Sequence, residues 1–310
     1  MATWSGYDAR TLSATDADDE RGANLLYEGI ARAILPVSSL KTACAPFERL
    51  GLVVSPARRA VGRGFSLRSL AVGGPGNLFD VEFLCPDVDG DSTSAQGQHG
   101  LEDQGLSAIV LRVADMSSVL AALTERGIQA TSTAIYDAEG RKRLDLAILP
   151  DMPDAATQVR LMQPGMSDDE RLAEYLGGRS HATPLKRLDH LAAVAPDLER
   201  SCRFWDEILG VPTIGEVVSP TVVVRQLRIG DAIFELLGPA TPDSPIRQRP
   251  PGLNSMCSFE VEDLDAAVAH VRAAGFAIPD PRSGTLPGTR VAAVPGREMS
   301  SLNLQLLQYV

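Results

Sequence analysis

Leu188-Asp-His-Leu-Ala-Ala-Val194, then Pro196-Asp197, then Phe204-Trp-Asp-Glu-Ile-Leu-Gly210, is the stretch from which the rest of the chain is read. Its opening is an apolar run of strand character over 188–195. Pro196-Asp197 is a helix start, and a helix over 198–209 is stopped by Gly210. Strand-like runs follow at 222–229 and 232–237. A constant offset of 158 repeats the order earlier in the chain, laying His190 on Arg32, Leu198 on Leu40, Cys202 on Cys44 and Trp205 on Phe47. There a strand over 30–37 leads through Ser38-Ser39 into a helix over 40–50 ended by Gly51, and strands are expected at 52–56, 65–72 and 78–84.

The remaining quarters match at an offset of 148, which lays Met256 on Ala108, Val261 on Val113, Asp263 on Asp115, Leu264 on Met116 and Gly275 on Gly127. Both finish in strands, over 159–162 and 302–307. The chain therefore reads as four copies of a βαβββ unit of roughly 50 residues, each too small to bury a core alone, so that the units must pair. The expected fold is α+β: two tandem domains, each made of paired βαβββ modules forming a cup-shaped mixed sheet. The expected boundaries are a mobile polar arm over 1–24, one domain over 25–163, a linker with a short helix over 164–186, and a second domain over 187–310.

Composition narrows the partners. The 310 residues carry 29 Lys plus Arg against 40 Asp plus Glu, a formal charge of −11, which disfavours nucleic acid and anionic lipid. No apolar run is long enough to span a bilayer, and the acidic N-terminal stretch is unlike a secretory signal. Cys44, Cys85, Cys202 and Cys257 are scattered and read as reduced thiols, so a cytoplasmic protein is expected.

The stretch from Leu188 to Gly210 resembles the opening of a vicinal oxygen chelate module, the superfamily of glyoxalases, methylmalonyl-CoA epimerases, bleomycin and fosfomycin resistance proteins and extradiol dioxygenases. Ile233-Phe-Glu-Leu-Leu-Gly-Pro239 resembles the closing strand of that module, and Phe259-Glu-Val-Glu-Asp-Leu264 the start of its partner. Phe47-Glu-Arg-Leu-Gly51 and Gly62-Arg-Gly-Phe65 are similar to a more diverged copy. The resemblance implies a divalent metal at the base of a cup, held by residues of the first and last strands of each module, often His, Glu, His, Glu, with open positions for two neighbouring substrate oxygens.

On that pattern the C-terminal slots hold His190, Glu235, Met256 and Gln305. Two readings stand side by side. In one, His190, Glu235 and Gln305 hold a divalent ion (Zn, Mn, Fe, Co, Ni or Mg), although the Met256 thioether does not suit it. In the other there is no metal, and His190 with Glu235 performs acid–base work as the catalytic pair. The N-terminal slots hold Arg32, Glu82, Ala108 and Arg160, a metal-free set in which Arg32 and Arg160 flank Glu82, hold an anionic ligand, or point to solvent.

Other features read more simply. Trp205 is a core residue, Gly73-Gly-Pro-Gly76 is a turn, and Arg247, in the Pro-rich connection between the third and fourth units, either reaches an anionic substrate or is solvated at the surface. His99 falls in a polar loop, His181 in the linker and His270 on the outer face of a helix. The expected function is a small-molecule lyase or isomerase of glyoxalase or epimerase type, acting on an oxygenated organic substrate in the C-terminal cup, where Gln305 and Met256 contribute to binding. The alternative is a metal-free protein that sequesters a ligand. An extradiol-type dioxygenase comes third, because Met256 and Gln305 break its ligand set. The chain is expected to act as a monomer or homodimer.

Overall fold

A computed structural model of the chain describes residues 26–60, 64–87, 105–137, 139–286 and 288–310. The expected 1–24 arm and His99 lie outside them.

The N-terminal half forms one eight-stranded sheet. Its strands are β1 (Gly29–Pro36), β2 (Arg58–Ala60), β3 (Phe65–Val72), β4 (Phe79–Pro86), β5 (Ala108–Arg112), β6 (Ser132–Tyr136), β7 (Lys142–Ile148) and β8 (Gln158–Pro164), in the spatial order β2-β3-β4-β1-β5-β8-β7-β6. The C-terminal half repeats this as β10-β11-β12-β9-β13-β16-β15-β14. Those strands are β9 (Arg187–Val194), β10 (Thr213–Val218), β11 (Val222–Ile229), β12 (Ala232–Pro239), β13 (Gly252–Glu260), β14 (Arg282–Ser283), β15 (Thr289–Val294) and β16 (Asn303–Tyr309). In each sheet the first and last strands of a module pair in parallel, and the two modules join where their first strands run antiparallel, β1 on β5 and β9 on β13. Each sheet is a curled half-barrel of two βαβββ modules.

The helices α1 (Leu40–Arg49), α2 (Met116–Glu125), α3 (Asp168–Leu176), α4 (Leu198–Arg203) and α5 (Leu264–Ala273) are bounded by local chemistry. Ser39, Asp115, Asp197 and Asp263 cap the four module helices, each side chain accepting from a backbone N–H of the first turn. Gly51, Gly127, Gly210 and Gly275 follow them with φ of 82°, 88°, 75° and 82°, a left-handed conformation that favours glycine. The predicted 198–209 helix divides into α4 and a π-helical segment, Phe204–Leu209.

Two strand assignments differ. Residues 52–56 make only an isolated bridge, Val54 to Leu70, because Leu52, Val53 and Val54 are buried as packing residues; the edge strand is β2 instead. The third unit gains β10, which its mostly polar or exposed residues concealed.

Helices and sheets share one apolar interior on the helix-bearing face of both sheets. Phe79 packs against Phe259 across the halves at 6.0 Å, and Trp205 packs at a tilt on Phe234 at 4.9 Å while its indole N–H donates to the Ala155 carbonyl at 3.0 Å. Trp205 is thus core, as read, and also a bridge between the halves. His270 is not on an outer face: α5 lies against the N-terminal half, and His270 Nε2 meets the Leu50 carbonyl at 3.0 Å. Because side chains alternate along a strand, the opposite face of each sheet is left for a cup.

Candidate functional site

The C-terminal cup contains a cavity of about 350 Å³ lined by His190, Glu235, Met256 and Gln305, so all four expected positions reach one space. Their level in the sheet differs from the expected alignment. His190 on β9 is opposite Ser258 on β13, and Ser258 is opposite Gln305 on β16. Met256 lies where β13 bulges away from β9, and it pairs with Asn303 instead. Met256 therefore lines the cavity wall, and Ser258 occupies the second slot. The N-terminal sheet agrees, because the residue between Arg32 and Arg160 is Val110 and not Ala108.

A second register shift decides the chemistry. Ser258 faces His190, but the next residue, Phe259, faces Leu188, so Asp189 is an extra residue on β9. Its carboxylate meets His190 Nδ1 at 2.7 Å and accepts the Tyr309 hydroxyl at 2.6 Å. On the other side of the ring, His190 Nε2 is 2.8 Å from Ser258 Oγ, which donates to Gln305 Oε1 at 2.7 Å. Tyr309, Asp189, His190, Ser258 and Gln305 thus form one continuous chain.

The chain sets protons as well as positions. Ser258 Oγ stands between Gln305 Oε1 and His190 Nε2, and on the other side of the ring Nδ1 faces the Asp189 carboxylate. Burial disfavours a charged ring, but the Asp189 hydrogen bond and the charges of Glu235 and Asp189 outweigh it and hold the His190 pKa above its ordinary value. Burial likewise pushes the Asp189 carboxyl up, and the hydrogen bonds from His190 and Tyr309 bring it below the usual carboxylate range. Glu235, on β12, accepts from Gln226 Nε2 at 3.1 Å.

These donors do not fit a divalent cation. Both His190 nitrogens are already engaged within the protein, Nδ1 by Asp189 and Nε2 by Ser258. Ser258 and Gln305 are neutral, which leaves Glu235 as the single carboxylate of the set. Among the described residues no group of three or more His, Cys, Asp or Glu is arranged to hold a metal ion.

One rim expectation changes. Arg247 belongs to a short 3-10 helix, Pro245–Gln248, is exposed, and is not part of the cavity wall. Arg282 of β14 and Thr285 of the following turn line the cavity instead.

In the N-terminal cup Arg32 pairs with Glu82 at 2.8 Å, as expected, but its second carboxylate is Asp80, also at 2.8 Å. Arg160 makes no ion pair with Glu82. The segment 164–186 is more than a connection. Arg171 of α3 reaches Asp80 at 3.0 Å, Arg112 reaches Asp168 at 2.6 Å, and Glu174 takes Arg58 at 2.6 Å, so α3 forms a wall of this cup. The turn at Gly73–Gly76 joins it, Gly76 N–H donating to Asp168 at 2.9 Å. His181 accepts from Val53 N–H at Nδ1, 2.9 Å, and donates from Nε2 to the Ala71 carbonyl at 2.7 Å, tying the segment down further on.

Paired βαβββ half-barrels with a polar cluster at the cup floor define the class of protein. A glyoxalase-like domain model matches residues 33–209, and the model of the glyoxalase, bleomycin resistance protein and dioxygenase superfamily matches residues 187–297. The chain belongs to this glyoxalase-like family, within the vicinal oxygen chelate superfamily. It is 32% identical over 114 residues to mitochondrial methylmalonyl-CoA epimerase of Mus musculus and 35% identical over 95 residues to that of Homo sapiens. Those matches cover 31% and 28% of this chain, and 64% and 53% of the epimerases' own length. Over 91% of this chain and 93% of the other, the fold is similar to a mutant of 4-hydroxymandelate synthase from Streptomyces coelicolor, at TM-score 0.63 and 16% identity. The relatives are enzymes, and no helix among the described residues is long and apolar enough to cross a membrane.

Proposed function

We propose that the C-terminal cup is the active site of a metal-independent proton-transfer enzyme, an isomerase or lyase acting next to an oxygen-bearing carbon. The observation that carries this reading is the chain Asp189–His190–Ser258–Gln305, of which His190 and Gln305 line one cavity with Glu235. Glu235 takes the proton from carbon. Negative charge then develops on the neighbouring carbonyl oxygen, where the fixed positive charge of His190 and the N–H groups of Gln305 steady it. Returning the proton to either face, or expelling a leaving group, completes an isomerisation or an elimination. The metal's electrostatic part is taken by an imidazolium whose charge Asp189 maintains.

The first substrate to try is methylmalonyl-CoA, on which the similar epimerases act, followed by other 2-substituted acids and ketones. Protein dialysed against EDTA is incubated with each in D2O, and deuterium at the acidic carbon is followed by mass spectrometry. Exchange that persists after EDTA and falls about 10²–10⁴-fold in Glu235→Gln is expected. Exchange that EDTA abolishes and added metal restores would overturn the reading. The second reading, sequestration without turnover, is favoured by the incomplete donor set and predicts tight binding with no exchange in any of the substrates.

A further inference from the structure

Among the described residues, Arg282 is the single Lys or Arg in the wall of the C-terminal cavity. It sits on the edge strand β14, level with Val291 of β15, which is level in turn with Leu307 of β16. Val291 and Leu307 line the cavity and stand outside the shared core, so this row runs along the cup face. Arg290, next to Val291, faces the other way and pairs with Asp265 of α5 at 2.8 Å.

The rim segment that follows Arg282 is fastened to β15. Gly284 N–H donates to the Thr289 carbonyl at 2.9 Å, and the hydroxyl of buried Thr289 donates to the Leu286 carbonyl at 2.6 Å. Among the described residues no carboxylate lies within ion-pair distance of Arg282, so its guanidinium is open to a ligand. Glu235, the one carboxylate of the wall, stands on β12 in the other module. Leu307 is two residues past Gln305 on the same face, and β14 is two strands from β16. At about 3.4 Å per residue and about 4.8 Å per strand, the Arg282 backbone is about 12 Å from that of Gln305. The cavity therefore has two unlike ends, with the apolar side chains of Val291 and Leu307 between them.

We infer that Arg282 is the specificity-determining residue of the C-terminal cup, and that the cup takes a small keto acid lengthwise. The carboxylate pairs with the Arg282 fork, and the carbonyl, several carbons away, lies at His190 and Gln305 with its neighbouring carbon toward Glu235. A planar carboxylate matches a guanidinium two-pronged. The Glu235 charge repels an anion from its own end, which fixes the orientation. A cavity of about 350 Å³ suits a ligand of this size. The inference rests on the C-terminal cup being the ligand site, and it narrows the ketones proposed above to those with a remote carboxylate.

The probe is 6-oxoheptanoate, its methyl ester and coenzyme A are the comparisons, and calorimetry on the full chain is the measurement. The acid is expected to bind wild type more tightly than the ester does, and to lose about tenfold or more in affinity in Arg282→Gln. The ester should bind both proteins alike. Arg282→Lys, which keeps the charge without the fork, should fall between them for the acid. Arg247→Gln, at an exposed arginine outside the cavity wall, should bind the acid as wild type does. Arg282 is itself exposed, so its replacement leaves folding intact. Equal acid affinity in wild type and Arg282→Gln overturns the inference, as does an equal loss in Arg247→Gln. So does ester that binds as tightly as acid, or no binding of the acid to wild type. Coenzyme A that binds more tightly than the acid and weakens in Arg282→Gln assigns the arginine to a phosphate, and also overturns it. Deuterium exchange separates this inference from the proposed activity. Acid binding that depends on Arg282, with no exchange in any substrate, supports the inference and overturns the enzyme. Exchange at limiting substrate that Arg282→Gln leaves unchanged overturns the inference and keeps the enzyme.

Discussion

Ser258 Oγ lies 2.8 Å from His190 Nε2, at the sheet position where the superfamily pattern places a metal ligand. With its second bond to Gln305 it fills a buried gap between two polar groups. Ser258→Ala strips a partner from each, and should cost about 1–3 kcal/mol in urea unfolding. The same position offers a gain of function. Ser258→His combined with Gln305→Glu rebuilds a His–His–carboxylate set, and this double variant should bind Co²⁺ with visible d–d absorption where wild type does not.

The charge on His190 depends on Asp189. The raised His190 pKa means that its contribution to stability is fully present below the unfolded-state value near 6.5 and fades as pH rises through the folded value. Asp189→Asn removes the ionic partner while keeping the shape. Proton and nitrogen NMR of the ring should then show His190 titrating at lower pH than in wild type, and an unchanged titration would contradict the assignment of Asp189 as the group that holds the charge.

His181 behaves in the opposite sense. Its ring is held neutral, because Val53 N–H donates into Nδ1 and burial lowers the pKa. Stability from this residue is complete above about pH 6.5 and is lost as pH falls through the depressed folded value, since protonation sets two N–H groups against each other. Melting temperature of wild type should therefore drop on mild acidification more steeply than that of His181→Gln.

Asp80 joins two arginines, Arg32 and Arg171, and its side chain has no solvent exposure. Asp80→Asn leaves both guanidinium groups undercompensated within the N-terminal cup and loosens α3. The expected destabilisation is about 3–5 kcal/mol by chemical denaturation, far above the effect of removing the exposed partner Asp280 of Arg272.

Much of the architecture is a local property of the chain. The caps at Ser39, Asp115, Asp197 and Asp263, the glycines after each helix, and the apolar periodicity between them act within a turn or two, so they are legible as four repeated units without coordinates. The presence of His190, Glu235 and Gln305 around one cup was legible for the same reason, because module length places them on first and last strands. Cross-strand level was not. It is set by hydrogen bonds between residues 68 and 47 positions apart, and by an extra residue at Asp189 and a bulge near Met256 that leave no mark in the local pattern. Those register shifts put Ser258 beside His190 and turned Asp189 onto the ring. Sequence by itself determined the repeats and the cups; only the tertiary pairing of distant strands decided which polar groups meet inside them.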